Sequence, residues 1–349
     1  SRATRMKDLL LLRPPPRDLL ERGPPSAILR ALERFVHLER DSAVQATQLC
    51  KDLGFALPGS VPQTAAPAIA EAARAKGAAI LTRCAVRGVE TAAGRVSAVV
   101  TEHGPIACDA AVIAGGAWSK LLCRQQNQRF PQLNIMNSVL RTHPLDGGPE
   151  GALWTQDFAF RKRQDGGYTI ANGSANIVDL VPDSLRYGLH FTHLLRTNWS
   201  SMQLRVSGQF WAEVPGVWKQ PLDQPGMFEK TRVLDPKPSE ALTKGLLDKL
   251  GEHWPLFAQA QIAQTWAGYI DMTPDEIPVI SSIEAVPGLF LSSGFSGHGF
   301  GIAPGAGVLM ADLITGEAPI VDPTAFRFSR FRDGSELELN GGRRAPIDH

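Results

Sequence analysis

Residues 288–313 read GLFLSSGFSGHGFGIAPGAGVLMADL, and this stretch decides the fold. It follows a turn at Pro287, continues with the apolar run 289–292, and then places four glycines between residues 294 and 301. The residues from about Ala306 onward have the composition of a helix, and Gly316 is placed to end it. The stretch therefore predicts a buried strand, a glycine loop and a helix start in direct succession.

This succession is suited to binding a ligand. Glycine allows backbone conformations with positive φ and lets a ligand approach the backbone closely. The N-terminus of the following helix offers unpaired N–H groups and the positive end of the helix dipole to an anion or to a polar ring edge. Glycine turns without a ligand are also common between strands and helices. By that alternative Phe295 and Phe300 are core residues, and His298 is a structural histidine bonded to a carbonyl.

The composition indicates an ordinary globular protein. The chain has 349 residues, of which 43% are hydrophobic and 20% charged, enough for a sizeable core or two domains. A net charge of +1 implies no general attraction to nucleic acid, so no nucleic-acid partner is expected. The four cysteines form no CxxC pair and no cluster with histidine at metal spacing, so we expect free thiols, a reducing compartment and no metal site.

No segment indicates a membrane span or a secretion signal. The sequence contains no apolar run of about 18 residues. The leucine run 9–12 is too short for the apolar part of a signal peptide. We therefore expect a cytoplasmic protein, with peripheral attachment at the inner membrane left open.

A second informative pattern lies between residues 65 and 119. A helix is predicted over 65–75, a strand over 78–81, and three further strands over 85–90, 96–100 and 106–108 form a β-meander. The apolar run 110–114 predicts a buried strand that ends in the turn Gly115-Gly116-Ala117-Trp118-Ser119. This turn taken alone is also compatible with a plain connection between a strand and a helix.

The middle of the chain differs in character. Strands are predicted over 139–142, 153–161, 167–171 and 204–214, and helices over 182–195 and 240–250. Strands in a run, with few alternating helices, favour a mainly antiparallel sheet with helices on one side. Earlier in the chain, helices are predicted over 28–38 and 44–53, and they carry no recognisable chemistry.

Three segments together resemble one protein family. Residues 294–299, G-F-S-G-H-G, resemble the C-terminal flavin-binding signature of the FAD-dependent amine and amino-acid oxidoreductases, such as D-amino-acid oxidase, D-amino-acid dehydrogenase, glycine oxidase and sarcosine oxidase. Residues 264–280 resemble the W-x-G and T-P-D-x-x-P segment of that family, and residues 84–119 resemble the second half of an FAD-binding domain. Within 264–280, Asp271 and Asp275 are a possible carboxylate pair, although capping and turn roles are favoured.

The resemblance implies an architecture. We expect an α/β fold, α+β overall, with an FAD-binding domain of the glutathione-reductase type and a substrate domain built on a mainly antiparallel sheet. Residues 1–123 form the first part of the FAD-binding domain, residues 124–263 the substrate domain, and residues 264–349 the return and tail. The family's opening strand and G-x-G-x-x-G turn are missing near the start of this chain. Either an N-terminal segment has been removed or the chain is a fragment, and we favour the first.

The resemblance also implies a cofactor site. FAD is expected to be bound non-covalently, because members with covalent flavin carry a cysteine where this chain has Gly268. The helix that follows the glycine loop would stabilise negative charge near flavin N1 and O2. The residues expected to contact FAD are Val86 beside the adenine, then Ala114, Gly115, Gly116, Trp118, Gly268, Gly294, Phe295, Ser296, Gly297, His298, Gly299, Phe300 and Gly301.

The resemblance specifies the substrate less closely than it specifies the cofactor. Hydride transfer to flavin N5 from the carbon next to an amine calls for an arginine that binds the substrate carboxylate. Two arginine or lysine anchors of the family are absent, because Ile270 and Gly301 occupy their positions. The remaining candidates for catalytic and substrate contacts are Arg161, Arg163, Arg205, Tyr168 and His298, and the arginines are equally compatible with solvated strand positions.

Several functional alternatives stay open. A D-amino acid or an N-substituted amino acid is the favoured substrate, and a substrate without a carboxylate is possible. The electron acceptor is oxygen or a quinone, and a homo-oligomer is possible. A different class of function is a catalytically inactive or flavin-less subunit of an oxidoreductase complex. A nicotinamide-dependent dehydrogenase is less favoured, because no dinucleotide fingerprint opens the chain.

Overall fold

The computed structural model describes residues 62–155, 157–173, 175–335 and 337. The helices predicted over 28–38 and 44–53 lie outside this part of the chain. The described residues form a mixed α/β fold with three β-sheets, as expected. No helix among them is long and apolar enough to cross a lipid bilayer.

The first sheet is the predicted β-meander. Helix α1, Pro62–Ala75, precedes strands β1 Val86–Ala92, β2 Arg95–Thr101 and β3 Gly104–Ala107, which pair in sequential antiparallel order. The strand predicted over 78–81 is wrong. The N–H of Ala78 instead donates to the carbonyl of Ala73 at 3.0 Å, so this segment closes the C-terminus of α1.

A second sheet joins two distant parts of the chain. Strand β4, Ala111–Ile113, lies parallel to β13, Leu289–Ser293, and β13 pairs antiparallel with β12, Val279–Ser282. Their buried side chains pack with the meander in one apolar core. Between β4 and the next sheet lies helix α2, Ser119–Gln125. After β13, helix α9, Gly299–Thr315, ends at Gly316, whose φ of +73° confirms the predicted glycine stop.

The third sheet has seven strands. These are β5 Leu133–Thr142, β6 Ala152–Trp154, β7 Phe158–Lys162, β8 Tyr168–Asn172, β9 Asn176–Asp179, β10 Met202–Arg205 and β11 Ile262–Met272. Their order is β10-β9-β5-β8-β7-β6, and β11 pairs with β5 along its whole length. All pairs are antiparallel except β9 with β10, so the predicted mainly antiparallel sheet is confirmed.

Helices cover this sheet unevenly. Short helices α7, Glu240–Thr243, and α8, Leu246–His253, pack on the face that carries the buried cross-strand row Leu140, Ile170 and Phe160. The opposite face is covered near one end by α3, Pro182–Tyr187, and α4, Thr192–Thr197. Helices therefore lie on both faces rather than on one. The remaining short helices are α5, Gln209–Glu213, and α6, Met227–Lys230.

Three predicted elements have different bounds. The strand predicted over 204–214 is only β10, because the chain turns at Ser207, whose Oγ accepts the N–H of Gln209 at 3.2 Å, and then enters helix α5. The strand predicted over 153–161 is two strands, β6 and β7, separated by a turn that Thr155 closes through its hydroxyl. The helix predicted over 240–250 is interrupted by Gly245 at a φ of +75°.

The division into residues 1–123, 124–263 and 264–349 stays a prediction. Its first boundary falls inside α2 and its second inside β11, the strand that runs the length of β5.

The C-terminal tail is tied to the body by a buried ion pair. The guanidinium of Arg330 donates to both carboxylate oxygens of Asp275, at 2.7 and 3.1 Å, and to the carbonyl of Ile277 at 2.7 Å. Both side chains are almost fully buried, at 5% and 1% exposed. The pair fixes the turn between β11 and β12 against the tail.

Asp275→Ala should lower the free energy of unfolding by about 3–5 kcal/mol, because it leaves the Arg330 charge buried without its partner. Asp157→Ala is the matched control, since Asp157 is 73% exposed in its ion pair with Lys249, and its cost should be below about 1 kcal/mol. Urea unfolding of both variants measures the difference. Equal costs would show that the tail does not depend on the buried pair.

Candidate functional site

The two predicted glycine turns lie side by side. Because β4 and β13 are parallel neighbours, both strands end at the same edge of their sheet. The turn after β4, residues 114–118, and the loop after β13, residues 294–301, therefore meet there. The hydroxyl of Ser293 donates to the carbonyl of Gly116 at 3.3 Å, or to a neighbouring carboxylate.

That carboxylate belongs to Asp271, at the end of β11. Its Oδ2 accepts the N–H of Gly294 at 2.7 Å and lies 3.1 Å from Ser293 Oγ, and its backbone carbonyl accepts the N–H of Ser296 at 2.9 Å. Burial raises the pKa of Asp271. Asp275 faces Arg330 instead, so the carboxylate pair considered from the sequence does not form.

The loop after β13 needs glycine at its first position. Gly294 has a φ of +79°, and a Cβ built there would lie 2.4 Å from Thr273 Cγ2. Ser296 also has a positive φ, +51°, and its hydroxyl lies 3.3 Å from the N–H of Thr273. The loop is therefore folded tightly against the segment that follows β11.

The loop leads into the exposed N-terminus of helix α9. No side chain caps this N-terminus, and its first turn contains no acidic residue. Its first N–H groups are therefore available to an anion or a polar ring edge. His298 occupies the N-cap position, and burial lowers the pKa of its imidazole, which favours the neutral form.

The opposite turn is held by amide side chains. Gln132 donates to the carbonyl of Gly116 at 2.8 Å and accepts the N–H of Lys120 at 2.9 Å, and Asn134 donates to the carbonyl of Ala117 at 3.3 Å. A Cβ built on Gly116 would contact nothing within 4 Å. The turn is thus fixed from one side and open on the other.

Gly268 adds a second open position, on the seven-stranded sheet. It lies opposite Asn137 in the register of β11 with β5, and a Cβ built there would also contact nothing within 4 Å. The loop approaches the same face two residues further on, because a Cβ on Gly297 would lie 3.8 Å from Ile270. An open surface therefore extends from the glycine loop onto this face of the sheet.

Comparison with known proteins identifies the family. The family model described as "DAO: FAD dependent oxidoreductase" matches residues 38–313, which is more than half of the chain. The chain belongs to this family. The resemblance seen in the sequence is confirmed, and the cofactor of the family is FAD.

Several relatives of this DAO-family chain are named for an activity on amino acids. Glycine oxidase of Pseudomonas aeruginosa is 33% identical over 242 residues, 69% of this chain and 51% of the relative. D-amino-acid oxidase of Bradyrhizobium diazoefficiens is 25% identical over 267 residues, 76% of this chain and 50% of the relative. L-amino acid deaminase from Proteus myxofaciens has a similar structure, with a TM-score of 0.73 and 32% identity over 78% of this chain and 60% of that one. The chain spans about half the length of the curated relatives it matches.

The geometry of the DAO-family site fits a flavin. The open space beside Gly116 and Gly268 leaves room for a planar group, and the uncapped start of α9 suits the electron-rich edge of such a ring. At position 268 glycine offers no thiol for a covalent bond. Val86 is the first residue of β1 in the meander, and its contact with the adenine stays a prediction.

The candidate substrate residues lie in different places. Arg161 is directly opposite Thr169 on the face that also carries Gly268. Arg163 donates to Asp165, and Arg205 on the edge strand β10 donates to both oxygens of Asp179.

Tyr168 points to the opposite face of the sheet. It is fully buried in the apolar core, and its hydroxyl donates to the carbonyl of Pro149 at 3.0 Å. This placement corrects the suggested role beside the substrate arginine, and Tyr168 is a packing residue. The sequence also missed Gln132 and Asn134, because their contacts depend on strand register rather than on a motif.

Gly294→Ala should destabilise the protein by about 1–3 kcal/mol, because alanine is strained at this φ and its Cβ meets Thr273. It should also weaken FAD retention, since the loop must move. Gly307→Ala is the control: Gly307 lies inside α9 with open space around it, and alanine there should be neutral or stabilising by about 0.4–1 kcal/mol. Thermal unfolding and the flavin-to-protein absorbance ratio report both effects. A Gly294→Ala protein as stable as the control would contradict the tight loop.

The raised pKa of Asp271 predicts a pH dependence of stability. A carboxyl whose folded-state pKa is raised contributes stability below its unfolded pKa of about 4, and this contribution is lost as the pH rises through the folded-state value. Asp271→Asn removes this titration. The free energy of unfolding of wild type relative to Asp271→Asn should therefore fall as the pH rises above about 4. Urea unfolding measures it, with the exposed Asp223→Asn as control, and a rising difference would contradict the assignment.

Proposed function

We propose that this protein is an FAD-dependent oxidoreductase that oxidises the C–N bond of an amino acid or secondary amine, most favourably a D-amino acid or an N-substituted amino acid. The observation that carries the proposal is the meeting of the turn at Gly116 with the loop 294–301, beside the uncapped start of α9. FAD, when bound, supplies the two-electron acceptor for a hydride from the substrate carbon.

The chain's own residues would hold the flavin without a covalent bond. The N–H groups at the start of α9 suit the pyrimidine edge, where negative charge accumulates on reduction. Neutral His298 at the N-cap adds no positive charge of its own. Asp271 positions the loop from behind through the N–H of Gly294.

The open face of the seven-stranded sheet would hold the substrate. Next to the row that contains Arg161 and Thr169, the register places Val139, Ala171 and Ala159 in one row on the same face. The two alanines leave room above the sheet. A pocket with small apolar walls and a charged group at one end suits an amino acid.

Arg161 is the proposed anchor for the substrate carboxylate. It lies on β7, which has a paired strand on each side, whereas Arg205 is on the edge strand and Arg163 lies past the end of β7. Burial, and then the neighbouring charge of Arg163, lower the pKa of Arg161. A half-buried guanidinium gains from a carboxylate partner, and the planar fork binds both carboxylate oxygens.

In the proposed reaction, the electron acceptor takes up the two electrons that the substrate loses. The substrate C–H bond breaks and its electron pair leaves as hydride, the nitrogen lone pair forms the C=N bond, and water hydrolyses the imine to a carbonyl compound and an amine. The electrons pass on to oxygen or a quinone. The chain must orient the substrate C–H bond and exclude bulk water from this step.

A substrate screen with flavin spectroscopy tests the proposal. The purified full-length protein should absorb at about 450 nm, and acid precipitation should release the flavin. Both enantiomers of common amino acids and their N-methyl forms are screened with oxygen and with an artificial electron acceptor. Both enantiomers are needed because relatives are named for D-amino acids and for L-amino acids. Full-length protein without a flavin band would favour the alternative of a flavin-less subunit.

Arg161→Ala should lower kcat/KM for the best substrate by about 10- to 100-fold with flavin content unchanged, because a charged hydrogen-bonded pair is lost. Arg95→Ala is the matched control, since Arg95 is exposed at the start of β2 in the separate meander. Steady-state kinetics of both variants decide the assignment. Equal kcat/KM values in the two variants would exclude Arg161 as the carboxylate anchor.

A further inference from the structure

Two arginines face each other across one strand of the large sheet. In the pairing of β5, β8 and β7, Arg141 and Arg161 both lie directly opposite Thr169. Residues that pair across strands project from the same face. Arg141, Thr169 and Arg161 therefore form one row on the open face of the sheet, away from the apolar core formed by Leu140 and its partners.

The row carries an excess of positive charge. Arg163 projects from the same face as Arg161, because the two are separated by two positions along the strand direction. Its Nε donates to both oxygens of Asp165 at 3.1 Å, and its guanidinium lies 3.4 Å from Thr169 Oγ1. The nearest guanidinium nitrogen of Arg141 is 4.0 Å from Asp165. Two guanidinium groups, those of Arg141 and Arg163, thus share the single carboxylate of Asp165.

Arg141 has unused hydrogen-bonding capacity. Its Nε is buried, and among the residues that the structure describes no acceptor reaches it. Its side chain is 37% exposed as a whole, so the guanidinium is accessible from the open face. Buried donors normally have a partner, and a ligand oxygen would satisfy this one once the partly exposed side chain shifts towards it.

The spacing suits a ligand with two anionic groups. Two strand separations of about 4.8 Å place the Cα atoms of Arg141 and Arg161 about 10 Å apart, with Thr169 between them. One carboxylate is matched by one guanidinium fork. If Arg161 binds the α-carboxylate, Arg141 is left to bind a second carboxylate, which lies only a few bonds from the first in the same ligand.

We propose that Arg141 is a specificity residue that binds a second carboxylate, so that the substrate is an amino acid carrying two carboxylates. This inference rests on the proposed function of the same site. The second carboxylate belongs either to the amino-acid side chain or to a carboxyalkyl group on the nitrogen. Both present the same chemistry to Arg141, and the experiment below separates them.

Binding of simple carboxylates tests the row without turnover. Isothermal titration calorimetry compares glutarate, which has two carboxylates, with butyrate, which has one, on the full-length protein. Glutarate should bind at least about 10-fold more tightly, and Arg141→Gln should abolish that difference. Arg95→Gln, in the meander, is the control and should retain it.

Kinetics supply the second measurement. The ratio of kcat/KM for glutamate over glutamine, and for N-carboxymethyl-alanine over N-methyl-alanine, is determined for both enantiomers. One of the two ratios should exceed about 10 in wild type and fall towards 1 in Arg141→Gln. The ratio that is large identifies whether the second carboxylate is on the side chain or on the nitrogen.

The outcomes separate the two proposals. Flavin-bound protein that oxidises neutral amino acids, with glutarate and butyrate binding equally, would overturn the role of Arg141 and leave the proposed function standing. A glutarate preference that persists in Arg141→Gln would also overturn it. Protein that oxidises no amino acid of the panel would refute the proposed function, whatever the result of the calorimetry.

Discussion

The parallel pairing of β4 with β13 is the constraint on which the rest of the structure depends. It joins residues 111–113 to residues 289–291, which are far apart in the chain, and brings both strand ends to one edge. Alternate side chains of both strands are buried, so the pairing is held by the apolar core as well as by backbone hydrogen bonds. Without it the turn at Gly116 and the loop at Gly294 would have no common cleft.

The large sheet forms the other half of the candidate site, and its two faces differ in character. One face is apolar and packs against α7 and α8, and the other carries Arg141, Arg161 and Gly268. Strand β11 links this sheet to the glycine loop, because Asp271 at its end holds the N–H of Gly294. The glycine loop and the open face of the sheet are therefore positioned by one continuous strand.

Much of the fold follows from local pattern, and the departures have local causes. The meander, the buried strand before Gly115 and the helix that ends at Gly316 were predictable from alternation and glycine placement. The segment 204–214 has the composition of a strand, but the chain turns at Ser207 and continues as helix α5. The segment 78–81 has an apolar composition, yet the cap of α1 takes up the backbone of Ala78.

The sequence by itself determined the family and the need for glycine in the loop 294–301, which it predicts to contact FAD, because backbone conformation at a turn depends on neighbouring residues. Only the tertiary structure decided that Asp271, Gln132 and Asn134 hold the two turns. It alone also placed Tyr168 in the core and Arg141 beside Arg161. The reason is strand register: a shift of one residue moves every side chain of a strand to the other face, and register is set by packing between distant segments.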